Sequence, residues 1–381
     1  MLSKTAFDYF KDEEITIGIN LGNTLDAVRT WIVPTPTADE TAWRNPPVNQ
    51  EYFDSLKKHG FKLVRIPVTW LGHIGPAPDF IIDEVRLQRV VEVVNMAKNA
   101  SLKVIINTHH DSNHDYNGWL SIRKATTSLP DRNMIAEMFK KTWAQIAVSL
   151  KDCGEWLMFE SFNAISDGNW IYPSIDPSGE YNIINNWNQI FSDTVRASGG
   201  NNENRYLIFN GYGNQPGQIL ASEFELPTDP IGGNGRQIVS FHTYEPWLFA
   251  AGINHEWHIE GAIGSKSYFD DIFEKIKLTF VDNKIPVIIG ECGPFRYAKN
   301  RKNQWYNENY VAEAKQNRLD YIDYFFRKAR ECSIVPIYWE IGSYNPDYAS
   351  EGDPSLFDRT TGNVNSSESS DVINRMIDAV K

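Results

Sequence analysis

Eight short runs of apolar, β-favouring residues recur along the chain: ITIGINLG (15–22), KLVRIPVT (62–69), KVIINTHH (103–110), WLMFESFN (156–163), YLIFNGYG (206–213), IVSFHTYE (238–245), PVIIGECG (286–293) and VPIYWEIG (335–342). Their starts lie 41 to 53 residues apart, with one shorter gap of 32. Between them the apolar positions switch to the three-to-four spacing of a helix face, as in EYFDSLKKHG (51–60), VRLQRVVEVVNMAKNA (85–100) and NMIAEMFKKTWAQIAVSLKD (133–152). YFDDIFEKIKLTFVDN (268–283) and NRLDYIDYFFRKAREC (317–332) follow the same rule. After the fifth run only a short QILASEF-like turn fits. A polar SSESS stretch (366–370) leads into a last helix, DVINRMIDAVK.

Nearly continuous apolar strands need cover on both faces, and helices alternating with them supply it. Eight such units predict an α/β fold, a (β/α)8 or TIM barrel. The competing doubly wound sheet usually carries a glycine-rich phosphate turn after its first strand. Here that turn is GINLGNTLD, without the fingerprint. With no linker and no repeat period, the expectation is one domain over 1–381, its core running from about residue 8 to 378.

Composition narrows the chemistry. The 37 basic and 49 acidic residues give a net charge of −12, the wrong sign for a general nucleic-acid binder. No stretch is long and apolar enough to cross a membrane. MLSKTAFDYF lacks the pattern of a signal peptide. Three widely spaced cysteines, Cys153, Cys292 and Cys332, make no disulfide framework or zinc knuckle. Aromatic residues reach 13%, and large π-faces suit packing or a ligand surface.

Active sites of this fold form at the C-terminal ends of the strands. Polar residues crowd there: Asn23 and Asp26, Arg65, then His109, His110 and Asp111. Asn163, the trio His242, Tyr244 and Glu245, then Glu291, Trp339 and Glu340 complete the rim. Burying so many polar groups by packing alone would be costly. A carboxylate such as Glu291 beside Arg65 and Tyr244 would be kept ionised by charge and hydrogen bonds. A tryptophan beside it suits the apolar face of a sugar. Retaining glycoside hydrolysis uses such a carboxylate with a second one about 5 Å away.

GINLGNTLD (18–26), ETAWRNP (40–46), VRIPVTW (64–70), INTHHD (106–111), FESFNA (159–164), FHTYEP (241–246), IIGECG (288–293) and IYWE (337–340) resemble glycoside hydrolase family 5. GNTLD and ETAW point to its subfamily 4 of endo-β-1,4-glucanases, lichenases and xyloglucanases. The resemblance spans nearly the whole chain. It implies Glu291 as nucleophile, supported by Arg65 and Tyr244, with His242 near the acid/base. It further implies Asn163 on the sugar 2-hydroxyl, His109, His110 and Asn23 as sugar contacts, and Trp339 as the platform just before the scissile bond. No cofactor and no metal are implied. The expected partners are β-1,4-linked glucans met by a secreted monomer, with no nucleic acid or membrane.

One position departs. The family ends its fourth-strand motif with Asn-Glu, the glutamate being the general acid/base; here the pair is Asn163-Ala164. A methyl group can neither protonate the leaving oxygen nor activate water, so the chain is expected to be nearly inactive. Three explanations follow: an engineered change at Ala164, a natural glucan-binding relative without catalysis, or a stand-in acid such as Asp167.

Plainer roles compete elsewhere. His109, His110, Asp111, His114 and Asp115 are crowded enough for a metal, but neighbouring strand residues point to opposite faces. Glu160 reads as structural; Glu340 reads either as a rim group or as an ion-paired core carboxylate. Cys292 reads as a packed thiol. Trp70, Trp119, Trp170 and Trp247 are candidates for loop packing or for stacking on sugar, and Trp119 is taken as a substrate contact. Trp143, Trp156 and Trp187 are expected in the core, and the sequons at Asn99 and Asn365 as chance matches.

Overall fold

The computed structural model describes residues 4–30, 36–233, 235–258, 260–297, 308–343 and 352–381. Eight parallel strands close into a barrel. In chain order they are β1 (Gly18–Asn20), β2 (Leu63–Ile66), β3 (Lys103–Ile106), β4 (Leu157–Glu160), β5 (Leu207–Asn210), β6 (Gln237–Thr243), β7 (Val287–Cys292) and β8 (Ile334–Tyr338). Six fall inside an apolar run, and β6 and β8 each begin one residue before theirs; β8 pairs with β1 to seal the ring. The main connecting helices are Gln50–Lys58, Glu84–Asn99, Leu129–Ser149, Pro177–Ala197, Lys266–Ile276 and Val311–Glu331. Between β5 and β6 the described residues form a short turn at Tyr212–Asn214 and a four-residue helix at Pro216–Ile219, in keeping with the weak periodicity there. Among the described residues no helix is long and apolar enough to cross a membrane.

The period-two alternation of a strand divides the barrel into layers. Val64 and Ile66, Val104 and Ile106, Leu157 and Phe159, and Leu207 and Phe209 join the buried layer shared with the helices. Leu63, Ile105, Met158, Ile208, Ile238 and Ile288 belong instead to a separate apolar cluster. Two residues further along the same strands stand Arg65, Asn107, Glu160, Asn210, Ser240 and Gly290. An apolar floor therefore lies under a polar upper layer, toward the C-terminal ends.

Two elements near the N-terminus go beyond the sequence expectation. A helix over Ala6–Asp12, capped by the Thr5 side chain, sends Ala6, Tyr9 and Phe10 into the floor cluster. Its Tyr9 ring lies 4.8 Å from that of Tyr206. Seven residues carry too little periodicity to stand out in sequence. A two-stranded ribbon, Val28–Arg29 against Thr37–Ala38, follows β1 and leads into the segment carrying Trp43.

Candidate active site

Arg65 organises the upper layer. It is wholly buried on β2. Its guanidinium donates to Glu160 at 2.7 Å, to Asn20 and Glu291 at 3.0 Å each, and to Asn163 at 2.7 Å. Only the planar five-donor fork of arginine can serve four acceptors around one centre. Glu160 also accepts from Asn107 at 2.9 Å, the structural role its strand-interior position suggested. Glu340, open between two readings, is a core carboxylate: it is fully buried and accepts from Arg359, Tyr52 and the Gly342 amide.

Glu291, next to last in β7, has one oxygen on Arg65 and the other accepting from the Tyr244 hydroxyl at 3.0 Å. His242 Nδ1 lies 3.6 Å from that second oxygen, and His109 Nε2 lies 3.9 Å from the first. Burial lifts the Glu291 carboxyl above its ordinary value, although Arg65 and Tyr244 pull it down. The sequence reading named the charge and hydrogen bonds that favour its ionised form and left out burial, which opposes them and outweighs them here. Burial, reinforced by the Glu291 charge, pushes the Tyr244 phenol well up, so it stays a donor. Burial and neighbouring cationic groups push His109 and His242 well down, so both rings are neutral at neutral pH.

These groups open onto a cleft of about 1800 Å³. Asn23, His109, His110, Asn163, Ala164, His242, Tyr244, Glu291 and Trp339 all line it. The Trp339 indole is stacked on the His109 ring, with centroids 5.8 Å apart and planes 9° from parallel. Among the described lining residues the carboxylates are Glu245 and Glu291. Glu245 accepts from the Trp247 amide at 3.1 Å. Ala164 presents a methyl group from a left-handed backbone, φ +40°.

Trp119 is a correction. It is not among the cleft-lining residues; it packs half-buried on the core and donates to Asp111 at 2.8 Å. Asp111 also accepts from the Trp70 amide and so braces the loop beneath the rim. Trp70, Trp143 and Trp187 are fully buried. Trp170 and Trp247 are 52% and 48% exposed on the cleft wall. Trp43, Tyr116 and Phe295 line the cleft too, though the sequence reading assigned them nothing. Trp43 sits in the ETAW motif and Phe295 four residues past Glu291, so proximity to motifs was the available signal. Asn214 was missed as well. Its clue was Asn210, the polar residue that ends β5.

The alternation argument against paired histidine ligands also fails here. β3 ends at Ile106, and a tight turn begins at His110, so both rings share one side with centroids 4.4 Å apart. Asp26, His109 and His110 bring ligand-type atoms within 4.8 Å of one another. His114 and Asp115 point outward, with side chains 74% and 87% exposed.

Asp167 does not suit a stand-in acid. It accepts from the Ser174 amide and hydroxyl, the Ile175 and Asn169 amides and the Tyr212 hydroxyl. Burial works to raise it, but these hydrogen bonds hold it far below the usual carboxylate range. Beside it Glu180 is fully buried. Burial and the Asp167 charge raise the Glu180 carboxyl to about 7. A raised folded-state value means the folded chain binds the extra proton. Stability should therefore fall as pH climbs from about 4.5 through about 7. Glu180→Gln is expected to flatten that decline in melting temperature; an unchanged slope would refute it. Cys292, its thiol pushed up by burial and by Glu291, packs at the end of β7 against the Ile337 carbonyl.

Comparison with known proteins agrees with this geometry. The family described as Cellulase (glycosyl hydrolase family 5) matches residues 25–345. Endoglucanase A of Paenibacillus barcinonensis is 33% identical over 86% of this chain and 81% of its own length. A solved GH5-4 broad specificity endoglucanase from Bacteroides salanitronis superposes with a TM-score of 0.85 at 35% identity, over 97% of this chain and 93% of that one. A Bacteroides ovatus GH5 xyloglucanase in complex with a XXXG heptasaccharide gives 0.83 at 27% identity, over 100% and 77%. The match over most of the barrel, with Glu291 gripped at the end of its seventh strand, places this chain in glycosyl hydrolase family 5, the cellulase family.

Proposed function

We propose that this barrel is a retaining endo-β-1,4-glucanase scaffold of subfamily 4 in which Ala164 occupies the position of the general acid/base. The observation that carries the reading is the Glu291 carboxylate, held between Arg65 and Tyr244 beside the Trp339 indole. Glu291 attacks the anomeric carbon. Arg65 and Tyr244 grip both of its oxygens and aim it. Asn163, oriented by Arg65, meets the sugar 2-hydroxyl, while Asn23, His109, His110 and Trp339 seat the ring before the scissile bond. A glutamate at 164 would protonate the leaving oxygen and then activate water. The present chain keeps the first carboxylate and lacks the second.

The substrates proposed are β-1,4-linked glucans, met outside the cell by a monomeric chain. The relatives' names, an endoglucanase, a broad specificity endoglucanase and a xyloglucanase, support that class. A cleft of about 1800 Å³ walled by Trp43, Trp170 and Trp247 suits a polymeric sugar. The second reading is a glucan-binding protein without catalysis, favoured by the Ala164 methyl group itself.

An aryl β-cellobioside with a good leaving group, given with azide, separates the two. Its departure needs no proton, so Glu291 should form the glycosyl-enzyme, and azide should release a β-glycosyl azide. Glu291→Gln should abolish the product. An α-azide, or none, would refute Glu291 as a retaining nucleophile.

A further inference from the structure

We infer that Asn214 is a positioning residue that fixes both the tautomer of His242 and the backbone of position 164. Asn214 is fully buried in the turn after β5, at φ +51°. Its Oδ1 accepts from the Ala164 backbone N–H at 3.0 Å. A backbone N–H can only donate, so this bond decides which end of the amide is which. Its Nδ2 therefore faces the other way, 3.0 Å from Asn210 Oδ1 and 3.0 Å from His242 Nε2.

The orientation of Asn210 is set independently. Its Nδ2 donates to the Phe162 carbonyl at 2.6 Å and reaches Glu160 at 3.4 Å. Its Oδ1 is thus the acceptor that Asn214 Nδ2 needs. An amide nitrogen has only hydrogens to offer, so His242 Nε2 must be bare. The ring proton then sits on Nδ1, which faces the Glu291 oxygen held by Tyr244. A chain of fixed polarity thus runs from the buried Glu160 through Asn210 and Asn214 to His242. It turns a neutral N–H toward the carboxylate without adding a charge. The same Oδ1 pins Ala164, whose left-handed φ is uncommon for a residue with a Cβ. One side chain therefore couples the proposed acid/base position to the nucleophile's neighbour.

The consequence for glycosyl transfer rests on reading Glu291 as nucleophile; the tautomer does not. The test begins with ¹⁵N NMR of the histidine-labelled chain as it stands, with His242→Gln to assign the resonance. The expected spectrum shows Nε2 unprotonated and Nδ1 protonated across neutral pH. Asn214→Asp replaces the donor with an acceptor and should place a proton on Nε2. Asn214→Ala should release the preference into a mixture. An Nε2–H tautomer in the unsubstituted chain overturns the inference without any variant, as does an unchanged tautomer in folded Asn214→Asp.

A second readout is the azide reaction. Wrong tautomers are costly wherever an imidazole N–H faces a reacting group, so Asn214→Asp should slow kcat by at least roughly tenfold with KM little changed. A loss confined to KM would contradict the role. If the unsubstituted chain forms no azide product while the tautomer is as expected, the nucleophile assignment fails and the positioning role of Asn214 stands.

Discussion

Ala164→Glu should raise hydrolysis of a soluble β-1,4-glucan by about 10²- to 10⁴-fold, the usual worth of a general acid/base. The other matched groups are assembled around the cleft. Glu291 is held at both oxygens, Asn163 is oriented by Arg65, and Trp339 lies on the cleft wall. The backbone of position 164 is anchored by Asn214, so a new side chain leaves a fixed origin on the cleft wall. An alkoxide leaving group departs poorly without a proton, which is where the variant gains. A good aryl leaving group needs little help, so the same substitution should accelerate its departure far less. Reducing-sugar release from glucan and the rate of the first-turnover burst of phenol from the aryl glycoside, which isolates leaving-group departure from the later attack of water, give the contrast. No recovery on glucan would refute the acid/base position and favour the binding-protein reading. Equal gains on both substrates would contradict a proton-transfer role.

Arg65→Met should destabilise the chain by about 3–5 kcal/mol, the scale for removing one partner of a buried ion pair. Methionine replaces much of the volume and none of the charge. It leaves Glu160, fully buried, and Glu291 without their shared cation. Asn20 and Asn163 lose a donor at the same time. The Glu291 carboxyl, already raised by burial, should rise further once the opposing guanidinium is gone. A carboxyl raised in the folded state costs stability as pH increases, so the variant's deficit should widen from acid toward neutral pH. Denaturant unfolding at several pH values checks this. A deficit under about 1 kcal/mol, or one independent of pH, would show that Arg65 does not hold the layer together. Arg65→Lys should recover only part, because an ammonium cannot reach four acceptors in one plane.

Much of this protein is legible in its sequence, for local reasons. The strand and helix periods differ, so eight apolar runs separated by helical patterns already dictate the barrel. Strands that end in polar residues name the rim that carries Arg65, His242 and Glu291. Loops gave less. Trp119 and Trp170 have the same residue type and similar placement after a strand. One turns inward to donate to Asp111, and the other stands in the cleft. No local pattern separates them, because the direction of a loop side chain depends on contacts distant in sequence. The histidine pair misled for a related reason. Alternation governs a strand, and the strand had ended three residues earlier.

Sequence by itself determined the fold, because strand and helix periods are local properties of the chain, and it supplied the motifs from which Glu291 and position 164 are proposed as nucleophile and acid/base positions. Only the tertiary structure decided that Glu340 is a core carboxylate, that Asp167 is saturated with donors, and that Asn214 joins Ala164 to His242. Asn214 and His242 are 28 residues apart and Asn214 and Ala164 are 50. Hydrogen-bond polarity passes between them only once the barrel has closed. The physical reason is directional: a donor's worth depends on where its hydrogen points, and that direction is set by the packed strands around it.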